Sequence, residues 1–532
     1  MIELSKTATN RAKKAEVAAM KKGKILLLSV LVLAISFVGS SQVFSQAPTV
    51  QIVTGTIAQD TTWVSSTVYV LRGAVFVASG ATLTIQPGTL IAGEFATNGT
   101  LVIAQGGKIN AVGTAAAPIV FTSDQPYGAP DWPSDDRFRA DWGGLILNGF
   151  ATLNIPGGIA FGEGGTGQYG GTNDNDSSGA LVYVRVEYAG TEFSPDNELN
   201  GIAFQGTGRG TRVDYVQVHM NLDDGIEMFG GTTNIRHFVL TNIADDSLDY
   251  TDGWRGKAQF GVIQQRADDA DQGFEFDNNG ENNDLLPRSN PTIYNVTLIG
   301  DNTSVWGTES DHGMLIREGT AGRIVNCIVL DFREDGIRVD QDATITQAQQ
   351  GNLLLRSLIV WGNGNNFDSD SQAILDQGLW PDVRVINPMI RRPHDWTNPD
   401  FRPTLTSPAV TGTVPVAPVP TNDPFFTQTA FIGAMGPLET DDWTRNPVKW
   451  TTSAQGFTNF LPGTGVSVDG RVLPRSNGDP LTDPEDFVPV LPGQPGAPGV
   501  VPVLPLPIGP GGDDTGDGEG EEIGPGGPGC CN

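Results

Sequence analysis

The sequence predicts an all-β chain wound into a parallel β-helix, and three observations carry that prediction. Short apolar runs separated by Gly, Asn or Asp begin near residue 68: Val68–Leu71, Ala74–Val77, Thr82–Ile85, Thr89–Ala92, Thr100–Ala104 and Pro118–Ser123. Each spans four to six residues with period-2 alternation, the mark of strands. Gly (68) and Pro (36) are abundant while charged residues reach only 17%, a balance that favours strands and turns over helical bundles. An acidic echo recurs as DDGIEMFGG (Asp223–Gly231), DDSLDYTDG (Asp245–Gly253), DQGFEFDNNG (Asp271–Gly280) and EDGIRVD (Glu334–Asp340).

The elements follow in chain order. Residues 1–45 read as a signal peptide: Lys21, Lys22 and Lys24 precede the apolar run Ile25–Val38, which is too short for a membrane span. Met20 is a candidate start, and cleavage is expected after Ser45, leaving no transmembrane segment in the mature chain. Residues 46–385 are assigned to the solenoid. Taking the small residue of each echo as a marker, Gly225, Ser247, Gly273, Gly313 and Gly336 are spaced by 22, 26, 40 and 23 residues. A recurring interval of this size is the signature of a coil, and 40 reads as a coil with an insertion. No helical periodicity of useful length appears. Residues 386–475, rich in Pro and aromatics, are expected to cap the end of the solenoid, because a terminal coil otherwise exposes core and unpaired edge groups. Residues 476–532 are expected to form a disordered Pro/Gly-rich acidic tail. It ends in Cys530 and Cys531, candidates for a disulfide tether to another chain. Cys327, within an apolar alternation, is expected to be a buried core thiol.

Within each echo the apolar residues should face inward and the middle acid outward. That places Ile226/Met228, Leu248/Tyr250, Phe274/Phe276 and Ile337/Val339 in the core, with Glu227, Asp249 and Glu275 in an outward column. Coils lie about 4.8 Å apart. Carboxylates at that spacing repel by about 0.9 kcal/mol in water and several times more at low dielectric. With Asp223, Asp224, Asp245, Asp246, Asp271 and Asp277 alongside, the column points to a hard divalent cation held by oxygen ligands, calcium first. Solvated turn acids are the plain alternative, since Asp and Asn favour turns through local hydrogen bonds. Asp174 and Asp176 in NDNDSSG form a second calcium candidate, although the Glu that would close such a loop is missing. The formal net charge of −29 excludes nucleic acid as a partner and favours cations.

The segments GATLTIQPGTLIAG, WGGLILNG, DNELNGIAFQGTGRGT, DDGIEMFGG and FFTQTAFIGAMGP resemble a family of secreted right-handed parallel β-helix proteins of Bacteroidetes-type bacteria. The likeness spans roughly Trp63 to Trp450 and implies fold and export, without supplying a reaction. The chain departs from that pattern in having no Cys after the apolar run and a Pro/Gly tail in place of a sorting domain. The expected function is that of an extracellular or cell-surface β-helix that binds or structures polysaccharide or matrix. The alternative is a polysaccharide lyase or glycoside hydrolase acting on an acidic polysaccharide, using Asp224, Asp246, Asp249, His312 and Arg317. His219, His237, Arg255, Lys257 and Arg338 lie nearby in sequence.

Overall fold

The computed structural model describes residues 49–125, 139–194, 197–302, 307–396 and 398–452. The expected signal peptide and the tail with Cys530 and Cys531 lie outside these residues. No described helix is long and apolar enough to cross a membrane.

Twenty-five described strands join one network in which neighbouring strands run parallel, wound as a right-handed β-helix. Three faces repeat in every coil. The first carries Ile202–Gln205, Ile226–Phe229, Leu248–Thr251, Phe274–Phe276 and Met314–Ile316, each hydrogen-bonded to the next. The second and third faces are the two halves of longer strands such as Gly179–Glu187, Arg212–His219, Asn234–Thr241 and Lys257–Gln264. Ile226, Leu248, Phe274 and Met314 are in register, as are Met228, Tyr250, Phe276 and Ile316. All eight are 1% exposed or less. The interior stack expected from the echo is therefore present.

The small residue of each echo has a packing reason. The N–H groups of Gly225, Ser247, Gly273 and Gly313 donate to the carbonyls of Asp246, Gln272, His312 and Asp335, one coil further on. A Cβ at Gly273 would lie 2.6 Å from the Gly313 carbonyl oxygen, so only the smallest residues fit where coils approach this closely. The 40-residue interval preserves the same pairing, because its extra residues leave the coil as loops.

The corner between the second and third faces is built from residues in the left-handed region. Tyr183, Tyr215, His237, Phe260, Asn295 and Asn326 have φ between 48° and 66°. Such conformations are costly for bulky side chains and persist only where the surroundings determine them. Here the side chains stack. Tyr183–Tyr215, Tyr215–His237 and His237–Phe260 ring centroids are 4.3, 4.2 and 5.0 Å apart.

Two expectations are corrected. The described residues from 386 to 452 do not cover the end of the solenoid; they run back along its side as a strap, and residues 453–475 of the expected cap lie outside the described residues. Val239, Val262, Ile299, Ile328 and Ile359 point outward from the third face and are buried by Phe401, Ala409, Val414, Ile432, Met435 and Trp450. The strap bonds to successively earlier coils. The Asn326 side chain pairs with both backbone groups of Ala417 (3.0 and 2.8 Å), and that of Gln259 with those of Thr427 (2.7 and 2.8 Å). Finally Arg185 donates to the Trp450 carbonyl and Thr452 N–H to Gln217 (2.7 Å). The C-terminal end of the core is instead lined by Ala348, Ile345, Ile374, Leu375 and Trp380. Four of these belong to the second correction, two short helices: α1 (Asp342–Gln349) and α2 (Ser369–Asp376). Eight residues make about two turns, too few for a periodic signal to stand out. A local signal does exist for α2, since Asp368 accepts the Asp370 and Ser371 N–H groups as its N-cap.

Cys327 is buried, as expected, and burial pushes its thiol up to about 12.

Candidate metal site on the carboxylate face

The turn that enters each strand of the first face carries two columns of side chains. The inner one, directly before the small residue, reads Asn200, Asp224, Asp246, Gln272, His312 and Asp335, all 8% exposed or less. From Asp224 onward it forms a continuous ladder. Asp224 accepts the Asp246 N–H (3.1 Å), Asp246 accepts the Gln272 N–H (2.6 Å) and Gln272 accepts the His312 N–H (3.1 Å). His312 Nδ1 accepts the Asp335 N–H (3.2 Å), and Asp335 accepts the Asn365 side-chain amide (3.1 Å). Each rung needs an acceptor, and an acid, an amide and an imidazole all serve. Replacing Gln272 with Ala leaves a buried N–H without its acceptor, a loss of about 1–3 kcal/mol. Chemical denaturation should show that loss with or without added cation, because Gln272 carries no charge.

The charge excess comes from the outer turn column (Asp223, Asp245, Asp271) and the strand column (Glu227, Asp249, Glu275). The latter residues are in register, as expected. They point away from the core yet are buried, at 9%, 7% and 6% exposure, so the sequence-based picture of an open outward column is incomplete. Polar and acidic neighbours from remote loops explain this. Asn200 Nδ2 donates to Glu227 Oε2 (2.6 Å), Glu163 lies within electrostatic reach of Glu227, and Tyr169, which itself feels the Glu227 charge, packs on Phe229 with ring centroids 6.0 Å apart.

Seven of the eleven proposed metal ligands converge. Asp223, Asp224 and Asp245 offer oxygens within 4.8 Å of one another, as do Asp224, Glu227 and Asp249, and Asp245, Asp246 and Asp271. Burial, and after it the surrounding carboxylates, holds Asp224, Glu227 and Asp246 well above the usual carboxylate range. No cationic side chain figures among the leading influences on these three. The oxygen-only donor set, its density and its burial fit a hard divalent cation, calcium foremost. The buried Asn200 Oδ1 adds a neutral oxygen with no hydrogen-bond partner among the described residues. Asn200 was missed in the sequence, but NGIAF (Asn200–Phe204) is the same echo without its acids.

The other four candidates are committed elsewhere. Arg317 clamps Glu275 (2.9 Å) and both oxygens of Asp277 (3.1 and 3.0 Å). Asp174 binds Arg255 through two oxygens and accepts the Thr152 N–H, and Asp176 accepts the Phe150 N–H. The NDNDSSG segment is thus a hydrogen-bonded turn that holds the loop, and its two acids do not join a metal-sized group with the rest.

The alternative catalytic set is only partly assembled. Asp224, Asp246 and Asp249 belong to the cluster. His312 lies two rungs beyond Asp246, within 3.3 Å of Glu334, and Arg317 is the clamp just described. His219 and His237 are on other faces. His219 is buried beside Thr241, and burial depresses it to about 3; His237 pairs with Asp214 at the corner. Lys257 pairs with Asp423. Asp311, next to His312 in the sequence, is raised to about 7 by burial and by Asp271 and Glu334.

Residues 55–375 match the family model described as "Pectate-lyase like beta helix domain". Among solved structures the chain is similar to "Crystal structure of pectate lyase Pel9A", at 13% identity and a TM-score of 0.35, covering 68% of this chain and 89% of that one. No curated protein matches the chain.

Proposed function

This chain belongs to the pectate-lyase-like β-helix domain family, and from that premise we propose that it is a secreted or cell-surface protein that binds or structures extracellular polysaccharide with calcium on its carboxylate face. One observation carries the reading: seven carboxylates from three successive coils converge, with Asp224, Glu227, Asp246 and Asp249 buried and Asp223, Asp245 and Asp271 half-buried. Asp224, Glu227 and Asp249 are the central ligands, flanked by Asp223, Asp245, Asp246 and Asp271. A bound cation supplies positive charge on a strongly acidic face, which an anionic polysaccharide needs before it can approach. A depression of about 400 Å³ on the coils that precede the cluster is lined by Phe150, Ile159, Gln105, Gln168, Thr172 and Asn173. An apolar ring with uncharged amides and hydroxyls suits the C–H and O–H faces of a sugar.

A second reading, lyase or hydrolase action on an acidic polysaccharide, draws on Asp311, whose pKa near 7 suits acid–base work beside Asp271. One experiment separates the two. A glycan array with and without EDTA should show calcium-dependent binding of acidic glycans, weakened at least about tenfold, or 1.4 kcal/mol, by Asp224→Asn/Asp249→Asn. The same samples should release no reducing ends or unsaturated products. Turnover in calcium would favour the enzyme, and equal binding in EDTA would overturn the calcium reading.

A further inference from the structure

We propose that the N-terminal coil is an association edge that takes a second copy of this chain, through antiparallel pairing of its first strand with the same strand of the partner. That strand is β1 (Thr49–Ile57), and among the described residues it pairs on one side only, with the strand Thr67–Val77. Seven of its nine residues are exposed. Val50 and Ile52 stand 37% and 40% exposed, on a face that natural edges usually protect.

The usual protections are missing here. From Thr49 to Gln59 there is no charged residue and no proline. The first charge, Asp60, turns back to accept the Thr82 N–H of the following coil (2.9 Å). The opposite end of the core is lined by residues of α1 and α2, whereas at this end the described residues include no helix. The irregularity between Val53 and Gly55 leaves Thr49–Val53 as a regular segment, and that segment holds both exposed aliphatic residues.

Charge selects the occupant. The chain carries −29, so two copies repel over most of their surfaces and approach most easily where both are uncharged. A two-fold axis sets the edge against itself, antiparallel, so that one patch serves both partners and the association closes at two. The backbone groups unpaired on β1 then complete their ladder, and Val50 and Ile52 of each copy lose water. Such a dimer presents two carboxylate faces, which would raise avidity for a long polymer.

Sedimentation equilibrium of the full chain, in a Cys530→Ser/Cys531→Ser background, tests this. The expected result is twice the chain mass at micromolar concentration. Val50→Glu/Ile52→Glu should weaken association at least tenfold while leaving the thermal melt of the monomer in place. In the same background Gln51→Cys should form a copy-to-copy disulfide and Leu405→Cys, on an exposed residue of the strap, should not. A monomer at every concentration overturns the proposal, as does a dimer unmoved by the Glu pair.

Discussion

In EDTA the protein should melt several degrees below its melting point in millimolar calcium, and the gap should widen as pH rises from 5 to 8. The first part follows from mass action: a ligand at a hundredfold excess over its Kd adds about 2.7 kcal/mol to the native state. The second follows from the carboxylates. Asp224, Glu227 and Asp246 have folded pKa values raised by burial and by one another. Without a cation the native state therefore holds protons that the unfolded chain releases, and stability falls as pH rises. The fall begins at the ordinary carboxylate range and continues through the raised values, with Asp252 near 6 and Asp311 near 7 marking the window. Most proteins lose stability towards acid through carboxylates that are paired when folded, so the chelated protein should run the opposite way for these groups. Calcium favours the ionised form and should flatten the profile. Scanning fluorimetry at several pH values, with calcium and with EDTA, reads both effects. Superimposable curves would return these acids to the role of solvated turn residues.

Trp450→Ala should cost about 3–5 kcal/mol, the range for removing a fully buried large aromatic. Trp450 is 0% exposed and stands edge-on to Tyr183 and Tyr215, with centroids 5.6 and 6.0 Å away. Its indole donates to the Trp443 carbonyl (2.9 Å) and its own carbonyl accepts from Arg185. The substitution thus removes the ring that seals the strap against the corner stack. Release of the strap uncovers Val239, Val262, Ile299 and Ile328, so the variant should bind a hydrophobic dye and lose residues 386–452 to protease before the solenoid unfolds. Trp450→Phe keeps an aromatic edge against the tyrosines and should cost less. If Trp450→Ala costs under about 1 kcal/mol in urea unfolding, the strap contributes little to stability.

The sequence made the coil register legible because one turn and one strand repeat the same chemistry. Gly225, Ser247 and Gly273 mark rungs, and Ile226, Leu248 and Phe274 follow them into the core, so a one-dimensional spacing maps directly onto a stack. Seven carboxylates of the candidate site were legible for the same reason. What surrounds them was not. The burial of Glu227 depends on Asn200 and on loops whose positions no local pattern encodes. The strap was misplaced because covering an exposed end and covering an apolar flank call for the same composition; only the contacts of Ala417, Thr427 and Trp450 with particular coils distinguish them. His219 and His237 are close to the acids in sequence but occupy other faces, since a few residues of travel carry the chain around a corner.

The acceptor ladder bears on how such a chain changes over generations. Its rungs demand only a side-chain lone pair in a fixed place, and Asp246, Gln272 and His312 show three ways of providing it. Charge at that column is therefore a free variable: an acid can become an amide, or an imidazole, while the winding persists. Ligand preference on this face can drift, or be redesigned, one coil at a time without renegotiating the architecture beneath it.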